Sequence, residues 1–425
     1  MDFKKYFQII KYKYSNNQIF FGGIFLFFLL NLGNLFSYVS IILISRNLNP
    51  YLLAEYSYIN SIILYFATPT VIFSLFTAKR IINLKFYKTR TYVFFINIFI
   101  SIIYSTFILI IILLIKNKFE IKSEYIFFIF LGVSSNLING ICLGFYQGLE
   151  KFKQYAFFAM LTMLIKLIFI IFLISLNKID PLNIIIFSLI SIIIDNLIMF
   201  LNLRKTKNII EFKEISHLLK KLKIFTKFIY IFLKDISYLL TGFFLVNMFF
   251  AFDIFIAKIY LNEKDFLKYI PISILSKIPY FLSNTLAPLL YPLIAKKINV
   301  NKNLQTVLIL LSSIFISLLV VAFFYLFGEI IINFTFNNQF ENLHLQLIYL
   351  SIAFSLLSVI NLMFNYYAPN HDYIFLVILI ITYTAAFIFT FFIDLSILNN
   401  FLISINILFI SIISSVFIYN LKKLK

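Results

Sequence analysis

Twelve runs of mostly apolar residues follow one another along this chain, each near the length that a helix needs to cross a bilayer, about twenty residues. They fall at 19–44, 56–77, 92–115, 125–145, 156–176, 182–203, 235–257, 270–294, 305–327, 343–364, 373–393 and 398–420. Only short polar turns separate them, apart from one basic stretch at 204–234. A chain of this kind cannot hide its apolar surface in a water-soluble core. Its 425 residues are 62% hydrophobic and only 12% charged, where soluble domains run near about 45–50% and 25%. The expected class is all-α integral membrane. The apolar run after the basic residues 1–18 is too long for a cleaved signal peptide and lacks a small-residue cleavage site, so it reads as a permanent helix.

Orientation follows from the basic residues. With the N-terminus cytoplasmic, 26 of the 36 Lys and Arg fall on inner segments, eight on outer loops and two inside helices. An even number of spans then places both termini inside a bacterial inner (plasma) membrane. The same dispersal explains the net charge of +19 without a nucleic-acid partner; anionic membrane lipids are the expected contact. One cysteine, Cys142, and three scattered histidines, His217, His344 and His371, provide no disulfide framework and no metal site. No P-loop, dinucleotide fingerprint or HExxH pattern occurs. No cofactor, metal or catalytic residue is expected, and H+ and Na+ both stand as coupling ions.

The chain repeats itself. Leu48-Asn49 with Tyr56 matches Leu261-Asn262 with Tyr269, 213 positions on, and Asn34 matches Asn247 at the same offset. Arg46 and Lys258 occupy corresponding helix ends. Ala78-Lys79-Arg80-Ile81 matches Ala295-Lys296-Lys297-Ile298 at 217, and Asn202-Leu203-Arg204-Lys205 matches Asn420-Leu421-Lys422-Lys423 at 218. Six helices per copy preserve orientation, so the expectation is about twelve transmembrane helices in two six-helix halves related by a parallel pseudo-twofold repeat. The halves are 1–203 and 235–425, joined by a basic cytoplasmic linker at 204–234.

These segments carry a resemblance. Ser45-Arg46-Asn47-Leu48-Asn49-Pro50 through Glu55-Tyr56-Ser57, and Gly144 through Phe152 with Gln147 and Gly148, resemble motifs of Wzx-type O-antigen and capsule flippases. These belong to the multidrug/oligosaccharidyl-lipid/polysaccharide (MOP) exporter superfamily. Asn49 and Ala54 stand where that pattern has glycine. The resemblance implies a flippase that carries an undecaprenyl-diphosphate-linked oligosaccharide to the periplasmic leaflet by alternating access, alongside other polysaccharide-assembly proteins. A drug or small-molecule antiporter of the same superfamily is the alternative. A membrane sugar polymerase or ligase fits less well, because no outer loop is large enough to hold a catalytic constellation.

A polar headgroup crossing hydrocarbon needs cations and donors inside the bundle, so intramembrane charges are the candidates. Lys166 lies roughly 15 Å and Asp195 roughly 12 Å from the inner ends of neighbouring helices, depths that permit a pair. Either they line a cavity as a cation or a proton-coupling pair, or they hold two helices together. Lys277 sits among prolines, between Pro271 and Pro279, where helices bend around cavities. It too could line the cavity or snorkel outward, and one electropositive chamber shared by Lys166 and Lys277 is the flippase expectation. Arg46, Lys258 and Asp253, at outer helix ends, read first as interface anchors. The amides Asn34, Asn247, Asn136, Asn139 and Gln147 could bind sugar hydroxyls or link helices.

Overall fold

The computed structural model describes residues 3–83, 87–205, 241–285 apart from 243, 247–249, 251 and 252, 302–367 apart from 338 and 341, 373–389 and 394–424. Within these bounds the chain is helical. The first half contains α1 (Phe3–Asn47), α2 (Pro50–Phe66), α3 (Pro69–Asn83), α4 (Tyr87–Ile115), α5 (Ser123–Gly148), α6 (Phe152–Ser175) and α7 (Pro181–Lys205). The second contains α8 (253–260), then α9 (Glu263–Ser276), α10 (Ile278–Asn284), α11 (Lys302–Phe336), α12 (His344–Tyr367), α13 (Tyr373–Phe389) and α14 (Leu398–Leu424). Nine spans among the described residues are long and apolar enough to cross a membrane. The fold is an all-α integral-membrane bundle of about twelve transmembrane helices in two six-helix halves. From residue 206 onward the linker expected at 204–234 lies outside the described residues.

Most expected spans coincide with helices, and three differ for identifiable reasons. α1 starts at Phe3, because no proline or glycine interrupts the polar residues before Gly22. The runs at 56–77 and 270–294 are each broken. Pro69 opens α3 after a turn at Ala67–Thr68, and Lys277 separates α9 from α10. Proline has no N–H, so Pro69 and Pro279 leave the carbonyls one turn earlier without their usual donors.

The repeat is visible in local geometry. Asn49 caps α2, its side chain accepting the Leu52 N–H at 2.9 Å. Asn262 caps α9 in the same way, from the Asp265 N–H at 2.8 Å. An Asn cap satisfies one of the orphan donors of a helix start. Tyr56 and Tyr269, which follow at the matched spacing, are both buried. Glu120 and Asn337, 217 positions apart, both turn the chain with φ 52° just after the third span of their half. Each follows a phenylalanine, Phe119 or Phe336.

Each half packs around its fourth span. α5 touches α2, α3, α4, α6 and α7, and α12 touches α9, α10, α11 and α14. The outer helices turn apolar residues such as Leu114, Phe315 and Ile330 to the surrounding lipid. Lipid is as apolar as these side chains, so close fit rather than a hydrophobic force holds the helices together. The tightest fit is α5 on α3. Gly140, Gly144 and Gly148 line one face of α5 at four-residue spacing, against Thr70, Ser74 and Ala78. A Cβ on Gly144 would meet the Ser74 carbonyl oxygen at 2.4 Å. The halves meet where α1 lies against α10 and α11, and α2 against α9.

Gly144→Ala must push α3 off α5. We expect it to destabilise the first half by about 1–3 kcal/mol, as overpacking does, and to lower the thermal midpoint of the detergent-purified protein. An unchanged midpoint would show that α3 is not held by this contact.

Candidate functional site

Among the described residues, two clusters built on buried ionisable groups stand out in the apolar interior, one in each half. In the second half Lys277 occupies the break between α9 and α10. Its Nζ lies 2.7 Å from Asp253 Oδ1 on α8. The other carboxylate oxygen accepts the Ser273 hydroxyl in a short contact and the Tyr269 hydroxyl at 3.2 Å. Asp253 is 1% exposed and Lys277 13%. The rings of Phe250 and Phe354 flank the ammonium at 5.3 and 5.5 Å. A buried charge needs both a partner and hydrogen bonds, and this one has them. Lys277 therefore neither snorkels to lipid nor stands free, and Asp253 is its internal partner rather than an interface anchor.

In the first half Asp195 of α7 is fully buried. Its Oδ2 accepts the Thr162 hydroxyl at 2.6 Å and the Asn139 amide at 3.3 Å. Asn139 also donates to Asn196 Oδ1 at 3.1 Å, and Asn196 donates to the Ser135 carbonyl at 2.9 Å. Asp195 Oδ1 is buried with no hydrogen-bond partner. No cation pairs with Asp195 among the described residues, and the Lys166–Asp195 pair that the sequence permits is not formed.

Lys166 lies one turn beyond Thr162 on α6, and rotation places it towards the interior. The lipid-exposed side of α6 carries Phe157, Ile168 and Ile171. Lys166 is on the opposite side, with the buried Thr162, Ile170 and Leu173. On one flank Ala159 and Met160 pack on Gly33 of α1. On the other Phe158 stacks on Tyr146 of α5, with ring centroids 5.1 Å apart. Lys166 is half-buried, on the side of α6 that lies between its contacts with α1 and with α5.

Arg46 and Lys258 both reach across to the opposite half, at the end of the bundle that carries the α1–α2 turn. Arg46 Nε donates to the Phe334 carbonyl of α11 at 3.0 Å. Lys258 Nζ lies 3.2 Å from Glu120 Oε2. Beside Lys258 is a cleft of about 340 Å³ lined by Tyr51, Glu55, Tyr58, Glu120 and Lys122 among others. A second cavity, about 250 Å³ and apolar, lies between α1 and α9–α11. Neither holds Lys166 or Lys277, so the expected electropositive chamber shared by both lysines does not occur among the described residues. Asn34 is half-buried on α1, and Asn247 lies outside the described residues. The other amides link helices or bond back to a carbonyl of their own helix. Gln147 of α5 accepts the Ser74 hydroxyl of α3 at 3.3 Å, and Asn136 bonds to the Gly132 carbonyl at 2.8 Å.

No protein-family model matches the sequence, and no curated protein matches it. Solved structures do match. A MATE transporter in complex with MaL6 superposes with TM-score 0.66 at 16% identity, covering 95% of this chain and 97% of that one. A Vibrio cholerae MATE transporter gives 0.62 at 13%, covering 93% and 94%. An outward-facing multidrug resistance MATE family transporter of the MOP superfamily gives 0.59 at 14%, covering 95% and 96%. The chain has the MATE fold over nearly its whole length.

The Asp253–Lys277 pair yields a specific expectation. Asp253→Leu or Lys277→Met alone leaves an uncompensated buried charge, costing about 3–5 kcal/mol. The double variant removes both charges and recovers most of that loss. Thermal unfolding of the three purified variants checks this, and additive losses would show that the two groups do not act as a pair.

Proposed function

We propose that this chain is a secondary transporter that exchanges a small molecule for a cation by alternating access between its two halves. The observation that carries the reading is Asp195. It is a buried carboxylate with donors on one oxygen, none on the other, and no cation beside it among the described residues. Ionisable groups inside membrane bundles are costly and mark ion pathways. A carboxylate so placed has the chemistry of an exchangeable cation site, for H+ or Na+. Thr162 and Asn139 hold it in position for either.

The likeness to MATE transporters, one of them described as a multidrug resistance transporter, supports a small-molecule substrate over the lipid-linked oligosaccharide diphosphate suggested by the sequence motifs. The paired state of Lys277 supports the same choice. While Asp253 neutralises it, it offers no net charge to a diphosphate. The basic-residue distribution supports an orientation with both termini on the cytoplasmic side of the inner membrane.

One observation favours the flippase as a second reading. Lys166 is a cation on the interior face of α6 with no carboxylate paired to it among the described residues, which suits an anionic headgroup. In that reading the substrate is a lipid-linked oligosaccharide, and polysaccharide-assembly proteins are partners.

Proteoliposomes with an imposed pH or Na+ gradient separate the two. The small-molecule reading expects gradient-driven movement of a cationic dye, at least about tenfold slower in Asp195→Asn and little changed in Lys166→Gln. Translocation of a fluorescent polyprenyl-diphosphate saccharide, abolished by Lys166→Gln, with no dye movement, would replace the first reading by the second.

A further inference from the structure

Arg46 and Lys258 correspond under the internal repeat, and each reaches the end of the third span of the opposite half or the turn after it. Arg46 ends the first helix of its half and reaches the end of the third span of the other. Its guanidinium donates to the Phe334 carbonyl and lies 4.4 Å from the centre of the Phe334 ring. Beside it Ser45 donates to the Thr335 carbonyl at 3.0 Å. Both carbonyls belong to the last turn of α11, where no intrahelical donor remains for them and a cation is favoured by the helix dipole.

Lys258, near the end of α8, mirrors this. It reaches Glu120, which follows the third span of the first half. Below that pair Phe255, one turn back on α8, stacks on Tyr58 of α2 with centroids 5.7 Å apart and planes 3° from parallel. Phe255 also packs against Phe119 at 4.7 Å. Two repeat-related contacts thus tie the halves at the same end of the bundle, one on each side of the pseudo-twofold axis.

We propose that these two contacts form a paired clasp that closes the transport path on the outer side, with Arg46 and Lys258 as its positioning residues. The clasp is suited to opening. Glu120 is 76% and Lys258 41% exposed, and exposed ion pairs are individually weak. Arg46 leaves its carbonyl partner for water at modest cost. Symmetry makes the contacts cooperative, because a rotation that separates one pair also separates the other. The inference rests on alternating access and on the orientation implied by the basic residues, and it adds which side is shut and what shuts it.

Tyr38 supplies a reporter. It lies eight residues before Arg46 on α1, about 12 Å deeper, and packs across the interface on Phe281 with centroids 6.0 Å apart. In a Cys142→Ser background, Tyr38→Cys is exposed to a membrane-impermeant maleimide outside intact cells. With the clasp intact, labelling is slow. Arg46→Ala with Lys258→Ala is expected to speed it about tenfold by shifting the population towards the open state. The exchange Lys258→Glu with Glu120→Lys, with Arg46 intact, keeps the ion pair and keeps labelling slow. Complete labelling after denaturation verifies that each variant is made and inserted. An unchanged rate in the double alanine variant overturns the proposal, as does fast labelling in the charge-exchanged protein. Faster labelling in a protein that moves no substrate would retain the clasp and remove the transporter reading. Gradient-driven transport with unchanged labelling would do the reverse.

Discussion

Hydrocarbon offers no hydrogen bonds, so every polar group carried into it must find its partner within the protein. Most of this structure follows from that constraint. Backbone groups are satisfied by running the chain as helices. The two broken spans occur where prolines remove donors and where the neighbouring helices of the bundle cover the break. The serines that dot the spans donate back to carbonyls of their own helix, as Ser351 and Ser355 do on α12. The charges Asp253 and Lys277 are buried together, with two hydroxyls and two aromatic rings completing their surroundings.

Against that background Asp195 stands out as a fully buried carboxylate with no cation beside it among the described residues. The same scaffold, used twice, settles one half with a matched ion pair and leaves the other with a carboxylate held only by neutral donors. The halves agree in their caps, their central fourth span and the turn after the third span. They differ in the groups that carry charge. In the transporter proposed above, similarity would let the lobes rock against one another, and the difference would give one of them an ion to bind.

Among the described residues, the helices of one half touch those of the other far less extensively than they touch one another. Inside the first half, α5 and α3 approach so closely at Gly140, Gly144 and Gly148 that a methyl group would collide with the opposing backbone. Across the interface, among the described residues, the polar contacts are Arg46 on the Phe334 carbonyl, Ser45 on the Thr335 carbonyl, the exposed Lys258–Glu120 pair and the Asn31 amide to the Thr285 hydroxyl at 3.5 Å. Rigid lobes with a separable seam are the mechanical condition for alternating access.

Hydrophobic runs, basic-residue asymmetry and the offset of 213 to 218 residues were enough to read the fold class, the number of spans and the duplication. They are properties of composition and order, which survive any packing of the helices. Gly144 and Gly148 entered the sequence reading only as part of the flippase-like motif, and the structure shows them packing α5 against α3. What the sequence could not decide is which polar groups meet. Lys166 lies one turn from Thr162, which does reach Asp195, yet no Lys166–Asp195 pair forms, while Asp253 and Lys277, 24 positions apart, close into one. Span reading determines a residue's height along its helix. Only the rotation and neighbours of each helix decide whom its side chain reaches, and those are set by tertiary packing.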